Sequence, residues 1–369
     1  MLDTAIYSIL IQFQIKGKIT QVKPYGSGHI NDTFYVKTDS PEDYILQKVN
    51  HYVFKDVEGL MRNLVYVLEH LNNKLLDIPN SKPHKELLTL IKNKQNSYIV
   101  TDNNGNYWRL FIYLKNTKSY DQVTTEKQAM EGGKAFGKFQ TLLADFDPGL
   151  LIDTIPKFHH IGYRLDNLYL SIKADPLSRC KTVTDELLFI ETRRERMTQI
   201  LKLGTAGKLP LRVIHNDTKF NNVLLDEKDN AQCVIDLDTV MPGFVAYDFG
   251  DAIRTIINTA PEDEPELLKI QLNIPLFEAY VIGYMQYAAS FLSEPEIWSL
   301  IDGVLLLPYM QAVRFLTDYI DGDVYFKTHF DGHNLQRARA QLQLVKKLEE
   351  NKSFMLEIIL NAWNEKIKS

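Results

Sequence analysis

Three oxygen-bearing side chains stand where two short apolar runs break into polar loops, and their types suit the holding of a hard metal ion. Val213-Ile214 lead into His215-Asn216-Asp217-Thr218-Lys219-Phe220-Asn221-Asn222, after which Val223-Leu224-Leu225 resume the apolar run. A second run, Cys233-Val234-Ile235, ends in Asp236-Leu237-Asp238. Both read as brief strands broken by polar loops. A hairpin between them gathers Asp217, Asn222 and Asp236 around one point. Such a set suits Mg²⁺, which takes few protein oxygens and keeps its other positions for water and phosphate. Taken singly, each of these residues would be an ordinary cap or turn residue. The spacing and the second acidic strand give them joint meaning.

Strands and one helix precede this block. Residues 19–25, 30–38 and 44–49 are rich in β-branched and aromatic side chains, separated by Gly26-Ser27-Gly28 and Ser40-Pro41-Glu42-Asp43 turns. From about 55 to 76, Val57, Leu60, Met61, Leu64, Val67, Leu68 and Leu71 recur at three and four, the helical period. A hairpin follows, 98–101 and 107–113, around Asn103-Asn104-Gly105-Asn106. Beyond Thr124 the spacing is helical over 125–143, 185–203, 265–287 and 336–363, apart from the short strands within 211–238. The expected class is α+β, with a sheet-bearing lobe (1–113) joined through 111–117 to a mainly helical lobe (114–369). Clefts between such units are the usual home of ligand sites.

The pattern His215-x-Asp217-x-Lys219-x-x-Asn222, with Asn222 five residues after Asp217, resembles the catalytic loop of protein-kinase-like phosphotransferases. Ile235-Asp236 resembles their metal-binding strand end. More narrowly, HNDTKFNNVLLD, CVIDLDTVMPG and YDFGDAIRT resemble the aminoglycoside-phosphotransferase-related family in its N-acetylhexosamine 1-kinase-like branch. YGSGHINDTF, YILQKVN, WRLFIYL, IPKFHHIGYR and RFLTDYIDGDVYF extend the likeness, in order, over roughly residues 20 to 330.

The resemblance implies a two-lobed protein-kinase-like fold, ATP and Mg²⁺ as cofactors, and phosphoryl transfer. That reaction has a loose transition state, so the protein mainly positions reactants and neutralises charge. On this likeness Asp217 takes the proton of the attacking hydroxyl and Lys219 reaches the transferring phosphoryl group. Asn222 and Asp236 hold the metal. His215 belongs to the catalytic loop and, with Asp248, braces it.

The likeness also assigns a nucleotide site. Gly26-Ser27-Gly28 is the expected glycine-rich loop, whose backbone N–H groups can approach phosphate closely because no Cβ intervenes. Lys48 is the expected cation for the nucleotide phosphates, with Gln47 beside it leaving the register open by one, and a slip of one would turn it to the other face. Glu58, Asp56 and Glu69 are candidates for its acidic partner. Phe111, Tyr113 and Leu114 are the expected hinge for adenine, and Lys115-Asn116 stands where an acid and a glycine were expected. Gly132-Gly133-Lys134-Ala135-Phe136-Gly137-Lys138-Phe139 nearly matches a P-loop but ends in Phe, where Ser or Thr must meet Mg²⁺. Its apolar spacing reads as one amphipathic helix.

Twelve positions separate Asp236 from Asp248 and no Ala-Pro-Glu follows, so there is little room for a segment that docks a polypeptide. A small-molecule substrate is expected, an amino sugar by the resemblance. Arg314 and Asp318 lie one helical turn apart and could bind sugar hydroxyls or an acetamido group. The plain alternative is a surface ion pair. Tyr325 or Tyr319 could stack on a sugar face, and His159, His160 and Arg164 could border the pocket. The expected reaction is transfer of the ATP γ-phosphate to the anomeric hydroxyl of an N-acetylhexosamine. The rivals are a kinase of the same fold for choline, ethanolamine, homoserine or an aminoglycoside, and a non-catalytic nucleotide-binding pseudokinase.

Composition sets the frame. With 45% hydrophobic and 24% charged residues the chain is an ordinary globular protein. A net charge of -5 gives no reason to expect nucleic acid or an anionic membrane as partner. Two cysteines, Cys180 and Cys233, cannot build a disulfide framework, which fits a cytoplasmic location.

Overall fold

The computed structural model describes residues 4–26 and 30–368 of the chain. A short helix α1 (Thr4–Leu10) leads into β1 (Ile19–Pro24), β2 (Asp32–Thr38) and β3 (Tyr44–Val49). Helix α2 (Val57–Leu76) and the single turn α3 (Pro83–Glu86) follow, then β4 (Leu90–Ile91), β5 (Val100–Thr101) and β6 (Tyr107–Ile112). Among the described residues these six strands form one antiparallel sheet in the order β1-β2-β3-β6-β4, with β5 also on β6. The strand pair on β6 was only half visible in the sequence, because β4 is two residues long and carries no alternation.

The remainder is mainly helical. Its helices are α4 (Glu126–Leu142), α5 (Ile161–Ala174), α6 (Thr184–Met197) and α7 (Gln199–Thr205), followed later by α8 (Val245–Ile256), α9 (Ile274–Ala288), α10 (Glu294–Asp321) and α11 (His333–Lys368). The helix expected over 185–203 is two helices, and the one expected over 265–287 begins only at Asn273, whose side chain caps it. Small strands are set among these helices: β7 (Thr117–Lys118), β8 (Arg212–Ile214), β9 (Val223–Asp226), β10 (Ala231–Val234) and β11 (Met241–Gly243). Strands β9 and β10 form the expected hairpin, and β11 lies antiparallel to β8.

Helices α8 and α10 cross with their backbones in contact. A Cβ on Gly250 would lie 2.2 Å from the Gly303 carbonyl oxygen, and one on Gly303 would lie 2.0 Å from that of Ala246. Glycine at both positions is what permits the approach. The rejected P-loop segment lies inside α4, where a Cβ on Gly133 would meet the Tyr280 carbonyl oxygen of α9 at 2.2 Å. Helix α10 is long and apolar enough to cross a membrane by composition, but 78% of its most apolar window is buried inside the protein.

Helix α2 packs on both halves of the molecule. Leu60, Met61, Leu64 and Leu68 share one buried cluster with Phe139, Leu143, Phe146, Leu151, Val213, Leu237 and Val240 of the helical half. Asn63 exchanges two hydrogen bonds with the backbone of Ile152, at 2.8 and 3.0 Å. A second cluster, on the other face of the sheet, joins Tyr44, Leu46, Trp108 and Leu110 to Leu10 and Phe13.

Candidate active site

The loop after β8 is held almost entirely through its backbone. Asn216 reverses the chain in the left-handed region, φ 64°, a conformation that Asn tolerates better than most residues. Asp248, on the first turn of α8, accepts from the backbone N–H of His215 at 2.8 Å and of Asn216 at 2.7 Å, and from Gln140 Nε2 at 2.9 Å. Burial pushes the Asp248 pKa up, opposed by His215 and these donors. His215 Nδ1 accepts from the Asp217 N–H at 3.3 Å, so its Nε2 carries the proton and donates to the Ile235 carbonyl at 2.9 Å. His215 is therefore a fully buried strut between the loop and the second strand.

The same struts bring the acids together. The Ile235 N–H donates to the Asn222 carbonyl at 2.9 Å. Asn222 Nδ2 donates to the Asp217 carbonyl at 2.9 Å and to its Oδ2 at 3.3 Å, which leaves Asn222 Oδ1 without a partner among the described residues. Asp236 lies in the left-handed region, φ 60° and ψ 56°, and its carboxylate also has no hydrogen-bond partner among the described residues. Asp236 has an exposed surface but a crowded setting. Dehydration by the surrounding protein, then the carboxylates of Asp238 and Asp217, push its pKa up to about 6. Free hard oxygens amid acids that resist ionising together fit a divalent cation. Among the described residues no group of three or more His, Cys, Asp or Glu side chains is placed to hold a metal ion by itself.

Lys219 Nζ lies 3.1 Å from Asp217 Oδ1. Burial lowers the Lys219 pKa, but Asp217 and Asp251 outweigh it and the net shift is upward. Asp251 accepts from the Thr218 N–H at 3.0 Å and from Arg254 at 2.9 Å. His159 Nε2 donates to the Asn216 carbonyl at 2.9 Å, and burial lowers its pKa to about 4 despite the pull of Asp251.

The sheet side differs from expectation at Lys48. In β3, Tyr44, Leu46 and Lys48 point one way, towards the cluster with Leu10, while Ile45, Gln47 and Val49 point towards α2. Lys48 pairs with Asp32 across the strand at 3.9 Å, not with Glu58, Asp56 or Glu69. The one-residue slip left open by Gln47 is the one the strand takes. Facing α2 instead is Arg109 of β6, directly opposite Gln47. It is 2% exposed and grips Asp238 through two bonds, at 2.6 and 2.9 Å.

At the hinge, Phe111 is bound into the ladder with Ile45 and Leu90. The Tyr113 N–H is also spent, donating to the Asp43 carbonyl at 2.8 Å. Leu114 is the expected hinge residue whose N–H remains without a partner among the described residues. Lys115 pairs with Asp43 at 2.8 Å. Gly26 adopts φ 79° with open space where a Cβ would stand. Ser27 and Gly28 lie outside the described residues.

On the other side of the loop, Arg314 makes no ion pair among the described residues. Its guanidinium bonds Gln311 at 3.0 Å, lies beside the Tyr325 hydroxyl, and faces the rings of Phe326 and Phe158 at 5.3 and 6.0 Å. Burial lowers its pKa. Arg164 is close by, its own pKa lowered to about 10 by burial and then by Arg314. Asp318 is a correction. It is buried and accepts from the backbone N–H groups of Val324, Tyr325 and Phe326 at 2.9, 2.7 and 2.9 Å, and from Asn334 at 2.8 Å. Its carboxylate ties the loop that carries Tyr325 to α10 and to Asn334 of α11. The helical spacing of Arg314 and Asp318 is real, but they form no pair, because the chain after Gly322 folds back onto the carboxylate.

Three residues of this neighbourhood had no role in the sequence reading: Arg109, Asp238 and Asp251. Each sits within a segment that the reading used (WRLFIYL, CVIDLDTVMPG, YDFGDAIRT). The available signal for Arg109 was a charge in the middle of an otherwise apolar strand.

A family model described as the phosphotransferase enzyme family matches residues 21–283. Among solved structures, a microcompartment-associated aminopropanol kinase is similar over 96% of this chain and 98% of its own, at 15% identity and a TM-score of 0.61. An aminoglycoside phosphotransferase from Alicyclobacillus acidocaldarius covers 99% and 97%, at 12% identity and 0.60. A choline kinase from Cryptosporidium parvum covers 98% and 99%, at 17% identity and 0.57. At these identities the likeness is one of fold: a kinase-like arrangement with an antiparallel sheet in the N-terminal part and helices in the C-terminal part. The family match ends before α10, so Arg314 and Tyr325 fall outside it.

Proposed function

Because this chain belongs to the phosphotransferase enzyme family, a family of small-molecule kinases, we propose that it moves the γ-phosphate of ATP to the anomeric hydroxyl of an N-acetylhexosamine. The observation that carries the acceptor class is Arg314: a half-buried guanidinium bonded to Gln311, with no ion pair among the described residues, close to Arg164 and on the same side of the loop as His159. Two such cations repel the ammonium groups of choline, ethanolamine or an aminoglycoside. Carbonyl and hydroxyl oxygens of a neutral amino sugar are suitable partners for them.

In this reading Asp217 accepts the proton of the attacking hydroxyl, and Lys219 turns from Asp217 to the phosphoryl oxygens. Asn222 and Asp236 would hold Mg²⁺, which neutralises charge on the phosphates when bound. Tyr325, 74% exposed on the loop that Asp318 secures, is offered as the stacking face for the sugar ring. Gly26 would stand at the phosphates, and the N–H of Leu114, without a partner among the described residues, is suited to pairing with adenine.

The test is a phosphorylation panel with ATP and Mg²⁺ across GlcNAc, GalNAc, glucose, choline, ethanolamine, homoserine and an aminoglycoside. Turnover of the acetylated sugars to their 1-phosphates is expected. Turnover of a cationic alcohol with both acetylated sugars untouched overturns the acceptor assignment.

A further inference from the structure

The turn that carries Asp236 is held from two sides. On the loop side, Ile235 is fixed by Asn222 and His215, each at 2.9 Å. On the sheet side, two residues past Asp236, Asp238 receives Arg109 Nη1 on Oδ1 at 2.6 Å and Arg109 Nη2 on Oδ2 at 2.9 Å. Asn31 Nδ2 adds a third bond to Asp238, at 2.7 Å. Arg109 also donates to Gln47 Oε1 from Nε at 3.0 Å and from Nη2 at 2.7 Å, and Nη1 meets Met61 Sδ of α2 at 3.9 Å. A two-pronged guanidinium–carboxylate pair fixes orientation as well as distance, and this one is 2% and 3% exposed. Between the two supports, Asp236 turns the chain in the left-handed region, φ 60° and ψ 56°.

We propose that Arg109 is the positioning residue that holds the Asp236 turn in metal-binding register with the catalytic loop, supplying from β6 the cation that Lys48 of β3, turned to the opposite face, does not supply. Arg109 acts through Asp238 and touches neither metal nor phosphate. The inference rests on Asp236 being a metal ligand in the proposed reaction. Outer partners of metal ligands change metal affinity by about 10- to 100-fold when removed, which sets the scale of the expected effect.

Two variants test it. Arg109→Met with Asp238→Leu replaces the buried pair by apolar groups, an exchange that buried ion pairs often tolerate without loss of stability. Arg109→Lys keeps the charge and loses the fork. Binding of ADP is measured by calorimetry with Mg²⁺ and with EDTA, beside thermal unfolding. Both variants should fold, bind ADP in EDTA within about twofold of wild type, and need about tenfold more Mg²⁺ to reach the tight-binding state. A folded variant with wild-type Mg²⁺ dependence overturns the role of Arg109 and leaves the proposed reaction standing. Equal loss of ADP affinity with and without metal also overturns it, because a merely loosened lobe would do that. If wild-type ADP binding is indifferent to Mg²⁺, the metal reading of Asp236 fails and takes this inference with it. Should the double variant not fold, Arg109→Lys decides between the same outcomes.

Discussion

Lys219 and Asp217 form an ion pair with each other, 3.1 Å from Nζ to Oδ1, so the group assigned to the phosphoryl oxygens rests on the group assigned to the proton. In the proposed reaction substrate parts them. Asp217→Asn removes the proton acceptor at nearly constant volume, and kcat should fall by about 10²- to 10⁴-fold while ATP affinity stays within about threefold. Steady-state kinetics beside calorimetric ATP binding checks this. An Asn variant with wild-type kcat would remove Asp217 from the chemistry.

Lys48→Met should leave ATP affinity and kcat within about threefold of wild type, because a surface pair with Asp32 contributes little. This runs against what the resemblance alone implies for a lysine on that strand. A loss of ATP affinity of 30-fold or more would mean that Lys48 does reach the nucleotide.

Asp318→Ala removes the acceptor of three part-buried backbone donors and one of the two acceptors of Asn334, which keeps Asp323. A cost of about 3 kcal/mol is expected, lowering Tm by roughly 5–10 °C. Acceptor KM should rise as the Tyr325 loop loosens, with ATP KM unchanged. Calorimetric melting and acceptor titrations measure both, and an unshifted Tm would contradict the anchoring role.

His159 gives a pH dependence with a definite sign. Burial lowers its pKa from 6.5 to about 4 in the folded protein, so between those values the unfolded chain binds the extra proton. Its contribution is fully present above about pH 6.5 and is lost as pH falls towards 4, by at most about 3 kcal/mol. Urea unfolding at pH 7 and pH 4.5 should show a smaller acid loss for His159→Gln than for wild type. Equal losses would assign the acid sensitivity elsewhere.

Much of this arrangement was legible in the residues. The hairpin of Asp217, Asn222 and Asp236 announced itself because polar groups at fixed spacing interrupt apolar strands, and β3 fell at residues 44–49 as its composition indicated. Facing was harder. Lys48 and Gln47 are both half-buried, so alternation could not say which looked at α2, and only the pairing of Gln47 with Arg109 decides it. Asp318 was misread for a different reason. Its partners are backbone N–H groups six to eight residues on, and main-chain donors have no signature in a sequence. The tight helix contacts at Gly250 and Gly303 escaped notice likewise, since a glycine in a helix declares its purpose only when the neighbouring backbone is seen.

Helix α2 is bolted to the helical half by its buried leucines and by the two Asn63 bonds. Rotating it outward would strip apolar surface at roughly 25 cal/mol for each Å² exposed and strand a buried amide. Swinging this helix aside therefore costs both apolar burial and the Asn63 bonds. The helix therefore belongs mechanically to the helical half, sharing one apolar cluster with Leu237 and Val240, which flank the turn that carries Asp236 and Asp238.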